Sequence, residues 1–236
     1  MPALTHTASV SPGIISAALL IARKDLAIEY RTRSAFVSAV VFALLGIVIF
    51  NFAWDPTAVR AIDLAPGVLW VIFTFSGLLG LHRSFAVEEA ERAMDGLLVA
   101  PVEREAIFLG KALANLVFVL AVQAIAIPGV VLFYNLPIEN GLLAVAGIAV
   151  LAAIGLVSVG TLFSAMAVNT RLAELLLPML ALPFLAPVVI SAAQATAFLL
   201  AGRPVSDAGM WLKVLLAFDI VFVTACTVAF PYTFED

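Results

Sequence analysis

Six stretches of this chain, residues 34–52, 64–81, 106–134, 141–168, 172–201 and 210–230, are each apolar over a length that can cross a bilayer. About 20 such residues span the ~30 Å hydrocarbon layer as a helix. A backbone inside that layer has no water to bond with, so each span must satisfy its own N–H and C=O groups, which a helix does. Composition agrees, at 64% hydrophobic and 12% charged residues, against roughly 45–50% and about 25% in soluble domains. The expected fold is all-α, a polytopic membrane protein with six transmembrane helices, organised as one membrane domain over residues 13–236 behind a disordered tail at 1–12.

Several functions are excluded by the same inventory. A net charge of -4 leaves no basic field for nucleic acid. Cys226 is the only cysteine, so there is no disulfide framework, no CxxC pair and no CxxCH haem attachment site. It reads as a small apolar residue of the last helix. No GxxxxGK[ST], GxSxG or HExxH motif occurs, so the chain has neither an ATP site nor a recognisable catalytic group of its own.

The apolar run from Ile14 to Ala22 has only nine residues before Arg23, Lys24 and Asp25, too short to span. A cleaved signal peptide would carry cations ahead of its apolar core, and only His6 precedes this one. Residues 13–32 are therefore expected to form an interfacial helix, on the grounds of length and flanking charge rather than a clean amphipathic face. The fifth span carries Pro178, Pro183 and Pro187 and is expected to be kinked or broken. With the N-terminus inside, Arg23, Lys24, Arg31, Arg33, Arg83, Arg92, Arg104, Lys111 and Arg171 fall in the cytoplasm, while Arg60, Arg203 and Lys213 fall outside. Nine cations against three favour both termini inside. The outer connections are short, so any work done outside needs a partner.

Most of the interpretable charge lies between the second and third spans. Over residues 85–98, Val87, Ala90, Met94, Leu97 and Leu98 share one helical face, with Glu88, Glu91, Arg92 and Asp95 on the other, and Pro101 ends the element. Such a helix could rest its apolar side on the membrane or dock on a cytoplasmic partner. Six acidic residues against three basic ones from Arg83 to Glu105 oppose adhesion to anionic lipid. The charge balance favours the protein partner.

Inside the membrane, Asp219 near the middle of the last span is the clearest functional candidate, because an ionisable group there is costly. It reads either as a carboxyl facing a neighbouring helix or hydrated cavity, or as a proton site for transport. Asn115, Gln123 and Gln194 could line a path or make interhelical hydrogen bonds. Only His6 and His82 are available as histidine ligands, and Met94, Met166, Met179 and Met210 read as packing residues, so no resident metal, haem or other cofactor is expected.

An interfacial helix, six spans and a charged helix after the second span resemble the membrane subunit of an ABC-2 type permease. Pro66-Gly67-Val68-Leu69-Trp70, then Phe85, Glu91, Met94, Asp95, Leu97, Pro101 and Lys111, resemble the haem exporter protein B (CcmB) family of cytochrome c biogenesis. So do residues 160–178 and 182–191, and the likeness runs from about residue 17 to 230. Arg92 stands where that family usually has Gly, Asp95 where it has Glu, and Asn115-Leu116 where His-Trp is common, which removes an intramembrane histidine. Asp219 matches no family pattern.

The resemblance implies an inner-membrane transport subunit, not an enzyme. It would work with a cytoplasmic ATPase, CcmA, which supplies the ATP site, with the membrane proteins CcmC and CcmD, and with the periplasmic haem chaperone CcmE. Haem would be cargo, and a homodimer is expected. Phe85, Glu88, Glu91, Arg92, Met94, Asp95, Leu97 and Leu98 are the expected ATPase-docking surface. Competing readings are a lipid, drug or glycan permease of the same architecture, a proton-coupled carrier using Asp219, and an intramembrane enzyme, for which no nucleophile and base can be paired.

Overall fold

The computed structural model describes residues 13–90, 102–137, 141–167 and 173–234, with side chains left aside at 82–90, 142, 173–175 and 234. Among these, seven α-helices carry the chain. They are α1 (Ile14–Thr32), α2 (Ser34–Ala53), α3 (Ala61–Ala90), α4 (Arg104–Tyr134), α5 (Leu142–Ala167), α6 (Ala173–Leu200) and α7 (Gly209–Ala229), with 3-10 turns at Val205–Ala208 and Phe230–Phe234. Six apolar helical stretches are long enough to cross a membrane and fall in α2 to α7; α1 is not among them.

Burial separates the spans by role. The spanning parts of α3 and α5 are 72% and 61% buried, against 22% for those of α2 and of α7 with its flanking turns. α3 and α5 are therefore the centre of the bundle, and α2 and α7 flank it. Small residues let the central helices close up: Leu156 of α5 fills the space beside Gly77, and Phe118 of α4 lies against Gly80. Without a hydrophobic drive between helices in lipid, such close approach is what holds them together. On α2 the buried face is Ala35, Ala39, Ala43 and Ile47, again small at i, i+4 spacing.

α2 and α4 run parallel in a fixed register. The Asn51 side-chain amide donates to the Phe133 carbonyl at 2.9 Å, across 82 positions in sequence. Phe36 meets Phe118 edge to face with centroids 6.2 Å apart, and Ile47 lies against Gly129, both at that same offset. Ser34 is thus level with Leu116, and the 12 residues from Arg104 to Asn115 carry α4 past the start of α2 by about 18 Å. α1 packs on this projecting part, where Gly110 faces the Ala18 carbonyl and Ile21 so closely that a side chain would collide.

Two expectations change. The proline-rich span is not broken: α6 is a continuous helix from Ala173 to Leu200 with Pro178, Pro183 and Pro187 inside it. Each proline removes one backbone donor, but an opened helix would leave many more polar groups facing apolar surroundings, and packing on α3, α5 and α7 keeps the segment closed. Second, Met166, Met179 and Met210 are 49%, 70% and 71% exposed, so they face outward rather than packing the core. Their flexible apolar chains suit a lipid-facing surface as well as a core gap. Cys226 is buried, as its apolar reading requires.

At the end remote from α1 the loops are short. Asp55 accepts hydrogen bonds from the Thr57 N–H and hydroxyl at 2.8 and 2.7 Å, which holds its carboxyl below the usual carboxylate range. The Trp54 indole donates to the Val59 carbonyl, and its ring lies 5.7 Å from that of Tyr134.

Candidate functional site

The α1 end of the bundle gathers several polar contacts between helices. α3 does not stop at the edge of its span. Leu81 is level with the end of α5, where the Ser164 hydroxyl donates to its carbonyl at 2.9 Å, and the helix then continues without a break to Ala90. Nine further residues project it about 13 Å. This projection lies on the same side as that of α4, and the segment joining the two is the charged one.

Phe85 and Glu88 therefore belong to α3 itself rather than to a separate helix beginning at residue 85. Glu91, Arg92, Met94, Asp95, Leu97 and Leu98 lie outside the described residues, as do the tail at 1–12 and Met94 among the methionines.

Beside this projection sits an ion pair that sequence reasoning did not assemble. Lys111 of α4 is fully buried, and its Nζ lies 3.3 Å from Asp25 Oδ2 on α1. Lys24 approaches the other oxygen of the same carboxylate at 3.2 Å. A buried ammonium is tolerated only when paired and hydrogen-bonded. The pair therefore bolts α1 to α4 at the point where Gly110 admits the α1 backbone. A lysine within an apolar run was the available signal, since it demands a carboxylate on an adjacent helix.

A small second core lies at the same end. Ile21, Ile107, Phe108, Ala165, Cys226 and Phe230 form one cluster, joining α1, α4, α5 and α7 with the C-terminal turn. Phe108 and Phe230 have ring centroids 5.4 Å apart, and Arg104 donates to the Pro231 carbonyl at 2.9 Å.

The intramembrane candidates do not converge. Asn115 is buried and its amide donates to the Thr161 hydroxyl of α5 at 3.0 Å. Gln123 is buried two turns further along α4, and its Oε1 has no hydrogen-bond partner among the described residues. Gln194 is exposed on the outside of α6. Asp219 is 4% exposed, at the middle residue of α7, and neither carboxylate oxygen has a hydrogen-bond partner among the described residues. One of those oxygens faces Gly155, where an added Cβ would meet it at 3.0 Å. Lys213 is exposed and does not serve it. Removing the Asn115 acceptor with Thr161→Val is expected to cost about 1 kcal/mol, the scale of interhelical hydrogen bonds in membranes. The thermal midpoint of the purified chain checks this, and an unchanged midpoint would refute it.

These features define a class: an all-α multi-pass membrane protein with a central helix pair and an α1 end stapled by buried polar contacts. The chain belongs to the CcmB protein family, whose profile matches residues 16–235. It is 30% identical to heme exporter protein B of Rhodobacter capsulatus over 206 residues, 87% of this chain and 90% of that protein. Identity to heme exporter protein B of Paracoccus denitrificans is 31% over 185 residues, covering 75% and 80% of the two chains. The Bradyrhizobium diazoefficiens protein of the same name is 28% identical over 200 residues, covering 84% and 88%.

Proposed function

We propose that this chain is the membrane permease subunit of an ATP-driven haem exporter in the bacterial inner membrane, with both termini in the cytoplasm. The observation that carries the proposal is its family membership over residues 16–235, shared with proteins named heme exporter protein B. The nine-to-three distribution of cations supports the orientation. Cytoplasmic ATP hydrolysis belongs to a partner, CcmA, while CcmC, CcmD and the chaperone CcmE handle haem. A homodimer presents two copies of the coupling segment to two ATPase subunits. Haem is cargo and not a resident cofactor.

In this mechanism the ATPase grips the surface built from Phe85, Glu88, Glu91, Arg92, Met94, Asp95, Leu97 and Leu98, apolar members filling a groove and charged ones setting register. Because α3 is one helix through residue 90, a displacement at its cytoplasmic tip reaches the most buried span of the bundle without crossing a loop. The neighbouring projection of α4 and its attached α1 move with it.

The test is a pull-down of the tagged chain from native membranes in detergent, with mass spectrometry of its companions. A cytoplasmic ATPase together with haem-handling membrane proteins is expected. An ATPase with other companions would keep the permease and change the cargo to lipid, drug or glycan; no ATPase would reject the coupled mechanism. Glu91→Lys is expected to abolish ATPase recovery while leaving membrane insertion intact, and unchanged recovery would remove Glu91 from the docking surface. The unpartnered carboxylate of Asp219 favours one second reading, a proton-coupled carrier. That reading requires transport to survive loss of the ATPase and to fail in Asp219→Asn.

A further inference from the structure

A groove of about 380 Å³ runs between the α1–α2 junction and α4. Its walls are apolar, built from Leu26, Phe36, Val117, Phe118 and Ala121, and its mouth carries Glu29, Tyr30 and Arg33. The depth of each part follows from the helix register. Arg33 immediately precedes the span in α2, at the level where headgroups sit, while Phe36 and the edge-on Phe118 lie within the first turn of hydrocarbon. Apolar walls thus face the acyl region and the cation faces the headgroups.

The cation is held in place. Arg33 has φ 55°, in the left-handed region, a conformation that costs a non-glycine residue roughly 1–2 kcal/mol. Its side chain folds back so that Nε donates to the Tyr30 carbonyl at 3.2 Å and the guanidinium lies 5.1 Å from the centre of the Tyr30 ring. Glu29, the acid within this mouth, is engaged by the protein itself, its Oε1 accepting the Phe36 N–H at 2.9 Å in the first turn of α2. The other acid of α1, Asp25, is turned to Lys111 and Lys24. The exposed side of α1 is left with Arg23, Arg31 and Arg33 beside Ile15, Leu19 and Leu20. With both acids engaged within the protein, the outward arginines complement a negatively charged lipid headgroup.

We infer that this groove is a binding site for an anionic phospholipid, one acyl chain lying against Phe36, Val117 and Phe118 and the phosphate meeting Arg33. A lipid seated there bridges α1, α2 and α4 at the level of the junction.

The test uses the full chain, purified and delipidated in detergent, then offered equal amounts of dioleoyl phosphatidylglycerol and dioleoyl phosphatidylcholine and read by native mass spectrometry. Phosphatidylglycerol is expected to be retained roughly fivefold better, the factor one arginine beside an anionic headgroup contributes. Arg33→Asn should erase that preference, since asparagine tolerates the left-handed backbone. Arg31→Gln, away from the groove, should leave most of it. Ala121→Phe, which fills the groove with Arg33 untouched, should lower retention of both lipids. Equal retention of the two lipids by the unaltered chain overturns the proposal without any variant having to fold. Equal losses in Arg31→Gln and Arg33→Asn would also overturn it, in favour of a diffuse basic collar. Haem offered alone to the delipidated chain, retained by it and lost in Ala121→Phe while lipid retention is unchanged, would overturn it in favour of a cargo port.

Discussion

On the proposed ATP-coupled mechanism, proline at Ser84 is expected to leave the proposed ATPase partner bound and the protein inserted while haem export falls by roughly 5- to 150-fold, the range set by losing about 1–3 kcal/mol of coupling between two sites. Ser84 lies in the part of α3 that has left the span, just before the expected docking surface begins at Phe85. A proline there removes the hydrogen bond to the Gly80 carbonyl and crowds the preceding turn, at a local cost of about 3 kcal/mol. The span below, from Ala61 to Leu81, is 72% buried among its neighbours and stays in place. What is lost is the stiffness of the link. Ser84→Ala, which keeps the helix, is the matched comparison and should export normally. Export is measured in vesicles reconstituted with the ATPase partner, and undiminished export by Ser84→Pro would refute transmission through α3.

The second large effect concerns Asp25 and Lys111. Asp25→Leu is expected to destabilise the chain by about 3 kcal/mol, because it takes a bonded carboxylate from a fully buried ammonium. Lys111→Met should cost less, since Asp25 is partly exposed and keeps Lys24 at 3.2 Å. Leucine at 25 with methionine at 111 should recover most of the loss, as apolar replacements of a buried pair commonly do. A double-mutant cycle on unfolding in mixed micelles measures the coupling. Additive single losses would show that the two residues act independently and that α1 is held by apolar contacts alone.

The spans were readable because hydrophobic length is a property of consecutive residues. The stretches expected at 34–52 and 106–134 appear within helices Ser34–Ala53 and Arg104–Tyr134, and 64–81 within a helix that starts three residues earlier. In the fifth span, expected to be kinked or broken, there is no break, because the rule that proline breaks helices weighs one lost bond and not the surroundings that penalise opening. The continuation of α3 to Ala90 was hidden by the change from apolar to charged residues after Leu81, which marks the edge of the span and not the end of the helix.

The candidate site divides in the same way. Asp219 stood out in the sequence because a charge within an apolar run is visible by itself, and its burial at mid-span follows. Gln194 looked equivalent to Asn115 on paper, yet one is exposed and the other bonded to Thr161. Which face of a helix turns inward depends on its neighbours. Asp25 and Lys111 are 86 positions apart and meet only where α1 lies on the projecting end of α4. The sequence by itself thus determined the number of spans and the family. The tertiary structure alone decided that α3 and α5 are central, that Lys111 is buried and paired, and that α1, α2 and α4 enclose a groove, because those depend on how helices distant in sequence cross and on which side chains that crossing removes from lipid and water.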